Sequence, residues 1–138
     1  MSVEEENVKL IQQMFAAFDR GDIPAVLGMV AEDADWQSPV TRAVSKEVPW
    51  AKPRHGRDEL ATFFQELREH MQPERLEPLA YTAQGDRVVV EGKNRGTVRA
   101  NGRPYEHDWV MIFTLRQGLI ARMRHYYDTA DLLAAIRE

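Results

Sequence analysis

The stretch Arg103–Asp128, RPYEHDWVMIFTLRQGLIARMRHYYD, constrains the fold more than any other part of the chain. It holds two runs rich in β-branched and aromatic residues with Gln117-Gly118 between them, the pattern of two strands joined by a tight turn. A third run, RVVVEGKNRGTVR from Arg87 to Arg99, leads into it through Ala100-Asn101-Gly102-Arg103. Asn-Gly is the strongest short-range hairpin signal, because both central residues of that turn take positive φ. The core is therefore expected to be a meander of three long antiparallel strands, with the remaining chain covering it or lining the pocket it makes.

The two turns predict a register. Asn94 falls opposite Trp109 and Gly96 opposite His107, while Trp109 falls opposite His125, His107 opposite Tyr127 and Met111 opposite Met123. Side chains alternate faces along a strand, so Asn94, His107, Trp109, Met111, Met123, His125 and Tyr127 share one face. Asp108, Val110, Ile112, Arg122, Arg124 and Tyr126 occupy the other. A slip of one residue in either turn would invert the assignment.

The remaining elements follow from caps and periodicity. Ser2-Val3-Glu4-Glu5 is a capping box, and behind it Val8, Ile11, Met14, Phe15 and Phe18 recur at helical spacing to about Arg20. Gly21 ends this helix and Asp22 caps a short apolar one from Ile23 to about Ala31, with Pro24 in its first turn. Asp35 to Ser38 reads as a short strand with Trp36 and Ser38 on one face. Residues 39–55 carry Pro39, Pro49 and Pro53 around Trp50, and read either as a lid over a pocket mouth or as a surface crossover whose Trp50 packs down. Gly56 opens a third helix with an apolar stripe of Leu60, Phe63, Phe64, Leu67 and Met71. Leu76 to Ala83 is a fourth strand, Gly85-Asp86 turns it into the meander, and Thr129 caps a last short helix, ADLLAAI.

At 138 residues this is one domain over its whole length, large enough to bury a core. A net charge of −4 with scattered basic residues argues against a nucleic-acid partner. No cysteine is present, which removes disulfides, thiolate metal sites and a cysteine nucleophile. No apolar run reaches membrane-spanning length and the first residues are acidic, so the expectation is a soluble cytoplasmic protein with no membrane partner.

The order helix, helix, strand, loop, helix and then four antiparallel strands resembles the nuclear transport factor 2-like superfamily, in particular its SnoaL-like, ketosteroid-isomerase-related branch. The residues that carry the resemblance are FAAFDRGDIPAVLGMVAEDADWQSP, HGRDELATFFQEL and VMIFTLRQGLIARMRHYYD, which together span most of the chain. The resemblance implies an α+β fold: a cone-shaped curved antiparallel (mixed) sheet wrapped by three N-terminal helices, with a short C-terminal helix and an apolar pocket between them. It also implies a homodimer through the outer sheet face. Activity does not transfer with the fold. Where ketosteroid isomerases carry a catalytic aspartate before a proline, this chain has Ser38; their oxyanion tyrosine falls at Met14 and their protonated acid at His107. The Asp-Arg-Asp set of limonene epoxide hydrolases falls at Asn94, Gly92 and His125, and its assisting Tyr and Asn at Trp36 and Ser38. Neither set is intact, so neither of those activities is expected.

The polar groups expected on the inner face are Ser38, Asn94, His107, His125 and the Tyr127 hydroxyl. His125, beside Trp109 in an apolar row, is the candidate general base, with Asn94 or His107 donating to a developing oxyanion. The plainer alternative is a buried histidine that satisfies its neighbours, because the sequence places no carboxylate on the same face to orient it. Trp36, Ser38, Trp109, Met111, Met123 and Tyr127 are the candidate ligand contacts. Two histidines without an inward acid leave a metal site short of ligands, so no metal and no cofactor are expected. The function expected is binding of a small apolar ligand, with proton-transfer chemistry such as isomerisation, cyclisation or hydration and dehydration. The rival is a non-catalytic homodimeric module whose pocket is filled by its own side chains. A third reading is an interaction scaffold using Val110, Ile112 and Tyr126 on the outer face.

Overall fold

The computed structural model describes residues 1–38 and 46–137. Helices α1 (Val3–Asp19) and α2 (Ile23–Gly28) come first, followed by strand β1 (Val30–Gln37) and a single 3-10 turn (Pro49–Ala51). Strand β2 (Arg54–His55) and helix α3 (Gly56–His70) lead to β3 (Met71–Gln84), β4 (Arg87–Val98), β5 (Pro104–Arg116) and β6 (Leu119–Tyr127), and helix α4 (Thr129–Arg137) ends the described chain. The strands form one sheet in the order β2-β1-β6-β5-β4-β3. All neighbours are antiparallel except β1 and β6, which run parallel, so the sheet is mixed, and it does not close.

Local chemistry starts the helices where the sequence places them. Ser2 Oγ accepts from the Glu5 N–H at 3.1 Å and Glu5 Oε1 accepts from the Ser2 N–H at 3.2 Å, closing the capping box. Asp22 accepts from the Ala25 N–H and starts α2. The helices bury their apolar faces on one side of the sheet. Ile11, Met14 and Phe15 of α1 and Leu60 and Phe64 of α3 meet Val88, Val90, Trp109, Met111, Phe113 and Met123 in one core. A second cluster of Val48, Trp50, Met71, Val98, Tyr105, Leu132 and Ala135 sits beneath α4.

The expected division of faces holds, but its cross-strand partners are displaced. Asn94 pairs with His107 rather than Trp109, and Gly96 with Tyr105 rather than His107. The cause is the turn: Thr97 pairs with Pro104, and Gly102, with φ of 70°, donates its N–H to the Val98 carbonyl, so the connection is longer than the two-residue Asn-Gly loop expected. In the second hairpin Gln117 and Gly118 do form the two-residue loop, both at positive φ, closing on Arg116 and Leu119. A two-residue loop alone sets Trp109 opposite Tyr126, not opposite His125 as expected from the sequence. Leu115 pairs with Ile120 but Thr114 with Arg122, so a bulge at Ala121 adds one residue to β6 and brings Trp109 opposite Tyr127 and Met111 opposite His125. The bulge is what puts His125 and Tyr127 on the inner face.

Three element boundaries also differ from expectation. α2 ends at Gly28, and Val30 and Ala31, expected in that helix, are buried in β1, where Val30 pairs with Ile120 of β6. Parallel pairing to the sheet outweighs the short local helical pattern. β3 begins at Met71 immediately after α3 instead of at Leu76; it is the edge strand, and its register breaks around Pro73 and Pro78, where the ladder lacks a donor. α4 is capped by Asp128, whose Oδ1 accepts from the Asp131 N–H at 3.1 Å, and not by Thr129. Residues 39–45, the first part of the expected lid, lie outside the described residues. No helix among the described residues is long and apolar enough to cross a membrane.

Candidate ligand pocket

Between the inner sheet face and the helices lies a cavity of about 110 Å³. Asn94, His107, Met111, Met123, His125 and Tyr127 line it from β4, β5 and β6. Met14, Phe15 and Phe18 line it from α1 and Phe63, Phe64 and Leu67 from α3, with Trp36, Ser38, Trp50 and Leu132 among the rest. Among the described residues no Lys, Arg, Asp or Glu lines this cavity. A dry apolar cavity of about 150 Å³ holds a benzene ring, so this smaller space sets a single ring as the upper limit for a ligand enclosed in it.

Trp50, set among Lys and Arg in the sequence, is only 5% exposed. Its ring lies 5.2 Å from that of His70, and its carbonyl accepts from Arg54 Nη2 at 3.0 Å. Arg54 is itself buried, paired with Glu66 at 2.8 Å and lying over the Phe63 ring, so this part of the connection is packed down onto the domain.

Eight of the nine residues singled out from the sequence line the cavity; Trp109 does not. Its indole packs against Phe15 at 5.6 Å and covers Gly92, where a Cβ would stand 2.3 Å from the ring. Trp109 belongs to the core.

The two inner histidines have different surroundings. His107 Nδ1 lies 3.0 Å from Asp131 Oδ2, and the same oxygen accepts from the Glu106 N–H at 3.0 Å. A carboxylate oxygen that already accepts from an N–H is an acceptor for the ring as well, so Nδ1 carries the proton, and in the uncharged imidazole the lone pair is then on Nε2. The ring is fixed between Tyr105 and Tyr127, with centroids at 5.6 and 5.4 Å and near-parallel planes. Asp131 stands in the first turn of α4, where a negative charge is favoured by the helix dipole. The carboxylate orienter that the sequence did not reveal thus comes from the last helix, and it serves His107, not His125.

His125 has no such partner. Its Nε2 is enclosed and unbonded among the described residues, as are Ser38 Oγ and Trp109 Nε1. Burial, helped by the charge of His107, pushes its pKa down to about 3, so at neutral pH it is an uncharged imidazole. Burial also raises the Tyr127 hydroxyl to about 12, leaving it a protonated donor. Among the described residues no group of three or more His, Cys, Asp or Glu comes together to hold a metal ion.

With this geometry in place, comparison with known proteins gives the class. The sequence profile of the SnoaL-like domain matches residues 11–123, and the chain belongs to that family, within the nuclear transport factor 2-like superfamily. A comparison with curated proteins finds no match. Among solved structures, an NTF2-like protein of unknown function from Burkholderia pseudomallei superposes with a TM-score of 0.87 at 28% identity, over 100% of both chains. An NTF2-like protein from Burkholderia xenovorans is 34% identical over 96% of this chain and 97% of its own, with a TM-score of 0.83. A candidate polyketide cyclase from Xanthomonas campestris is 26% identical over 98% and 99%, TM-score 0.84. TerC, crystallised with polyporic acid, is 26% identical over 96% and 99%, also at 0.84. The fold and these neighbours support a small-molecule-binding role.

Proposed function

We propose that this protein binds a small, largely apolar carbonyl compound and moves a proton on it, with His107 as the general base. The observation that carries this reading is the 3.0 Å contact between His107 Nδ1 and Asp131, which leaves Nε2 as a free base on the wall of an apolar pocket. His107 Nε2 takes a proton from the carbon beside the carbonyl. The electron pair left on that carbon moves into the C=O, and the oxygen takes the negative charge. Asn94, directly opposite His107 on β4, donates an amide N–H to that oxygen. Asp131 faces the positive charge the imidazole has gained. Return of the proton to the same or another carbon completes an exchange or an isomerisation, and return after ring closure completes a cyclisation. His125, the base expected from sequence, is too weak an acceptor for this task at a pKa of about 3 and serves instead as a neutral polar contact. The neighbours crystallised with polyporic acid or described as a polyketide cyclase support ligands with such carbonyls.

The test uses cyclohexanone in D2O, with loss of its α-proton signal followed by proton NMR. The wild-type protein is expected to exceed buffer and the His107→Ala variant to match it. A wild-type rate equal to that of buffer overturns the proposal.

A second reading, a non-catalytic binding module, is favoured by one observation: Trp36, Phe64 and the methionines leave only about 110 Å³ open. Binding of cyclohexanone without exchange would select it. A homodimer through the outer face also forms part of the proposal. It is supported by the half-buried Val110 and Ile112 beside Tyr126 and Leu79, which are 50% and 56% exposed.

A further inference from the structure

Two enclosed polar atoms of the pocket lie on neighbouring parts of the chain: Ser38 directly follows β1, and His125 is in β6, the strand paired with it. Trp36 pairs with Met123 and Gln37, the last residue of β1, with Arg124, so Ser38 leaves the parallel ladder on the side where His125 comes next in β6. Both residues line the cavity, and neither Ser38 Oγ nor His125 Nε2 finds a hydrogen-bond partner among the described residues. Enclosed polar atoms without partners are rare in folded proteins and often mark the place of a ligand or an ordered water. Trp36 and Met123, paired on β1 and β6, and Met111, paired with His125, also line the cavity, and the Tyr127 ring lies 4.9 Å from that of His125.

We infer that the ligand is an uncharged single-ring compound with a hydroxyl or second carbonyl oxygen, distinct from the carbonyl that Asn94 faces, seated between Ser38 and His125, a class narrower than the one the fold defines. The inference rests on the reading of this cavity as a small-molecule pocket. Three observations set its terms. The volume admits no more than one ring. The absence of any lining cation among the described residues leaves a carboxylate ligand without a counter-charge, and a buried charge without a partner is strongly disfavoured. The pair Ser38 and His125 can accept one hydrogen bond and donate another, which matches one hydroxyl group or, with both as donors, one carbonyl. The imidazole stays neutral in this position, so it selects by hydrogen bonding and not by charge.

Titration calorimetry on the whole protein with phenol, toluene, benzoate and anthrone tests this directly. Phenol is expected to bind about tenfold or more tightly than toluene, the order of one to two satisfied hydrogen bonds. Benzoate is expected to bind at least about 100-fold more weakly than phenol, and anthrone not at all. Ser38→Ala should lower phenol affinity about fivefold or more and leave toluene unchanged. His125→Gln should do the same, provided its circular dichroism and melting match the wild type at pH 7; Ser38→Ala decides if it does not fold. Equal binding of phenol and toluene, or of phenol and benzoate, overturns the inference, as does a Ser38→Ala variant with the phenol preference intact. Because calorimetry reads binding and not turnover, a protein that prefers phenol but fails to exchange cyclohexanone protons would keep this inference and lose the proposed activity.

Discussion

The Asp131 carboxylate stands 3.0 Å from Nδ1 of His107, tying the first turn of the last helix to the first part of β5 across 24 residues of sequence. This contact fixes one tautomer of one imidazole and aims its other nitrogen at the pocket. Replacing Asp131 by Asn removes the carboxylate while keeping a side chain of the same size in the first turn of α4. The cyclohexanone exchange rate is expected to fall about 100-fold or more, since an amide can hold the ring in the wrong tautomer. Substrate affinity should move little. A rate within threefold of wild type would mean that His107 does not need Asp131.

The depressed pKa of His125 gives a stability prediction with a definite sign. In the unfolded chain this histidine titrates near 6.5; in the folded chain burial and the His107 charge hold it down to about 3. Between those values the unfolded state binds the extra proton, so stability is highest above pH 6.5 and falls as pH drops through the window. The slope approaches about 1.4 kcal/mol per pH unit, hence a loss of about 2 kcal/mol between pH 7 and pH 5. Urea unfolding of wild type and His125→Gln at both pH values measures it. The variant is expected to lose about 2 kcal/mol less than wild type, and equal losses would refute the burial argument.

Much of this was readable from the chain. Alternation groups His125 with Tyr127 and Arg122 with Tyr126 within β6, but which group joins His107 on the inner face is set by the bulge at Ala121, since the two-residue loop alone would turn Tyr126 inward. The pairing of residues across strands did not follow, because the bulge at Ala121 and the longer Arg99–Gly102 connection insert residues that carry no distinctive side chain. The His107–Asp131 pair was invisible for another reason: it depends on how α4 folds back against β5, a tertiary fact. The one local hint was Asp128-Thr129-Ala130-Asp131, an acidic pair at capping-box spacing that announces a helix start with a carboxylate at its third position.

Gly92 and Gly96 are glycines for reasons of space. A Cβ at Gly92 would lie 2.3 Å from both the Trp109 ring and the Glu77 carbonyl oxygen; at Gly96 it would lie 2.3 Å from the Tyr105 hydroxyl and 2.6 Å from the Gln72 carbonyl. Backbone atoms of a paired strand cannot step aside. Gly92→Ala and Gly96→Ala are each expected to cost about 1–3 kcal/mol in thermal or urea unfolding. Alanine at the open Gly28, where no atom lies within 4 Å, should cost nothing by crowding and serves as the control.

Burial should also be visible in the tyrosines. The Tyr127 and Tyr105 hydroxyls are pushed up to about 12, Tyr127 by burial and Tyr105 by burial together with the Glu74 carboxylate. An ultraviolet titration is expected to show a late phase near pH 12 that shrinks in Tyr105→Phe and again in the double variant with Tyr127→Phe. A single phase near 10 for all four tyrosines would contradict the packing around His107.

The most direct test of the division of roles between the two histidines is a long-range proton–nitrogen NMR spectrum of the imidazoles, recorded from pH 7 to pH 4. His107 is expected to carry its proton on Nδ1, with that signal changed by Asp131→Asn, while His125 stays neutral over the whole range. A His107 protonated on Nε2 at pH 7, or a His125 that titrates near 6.5, would contradict the assignment of His107 as the base and His125 as the neutral anchor.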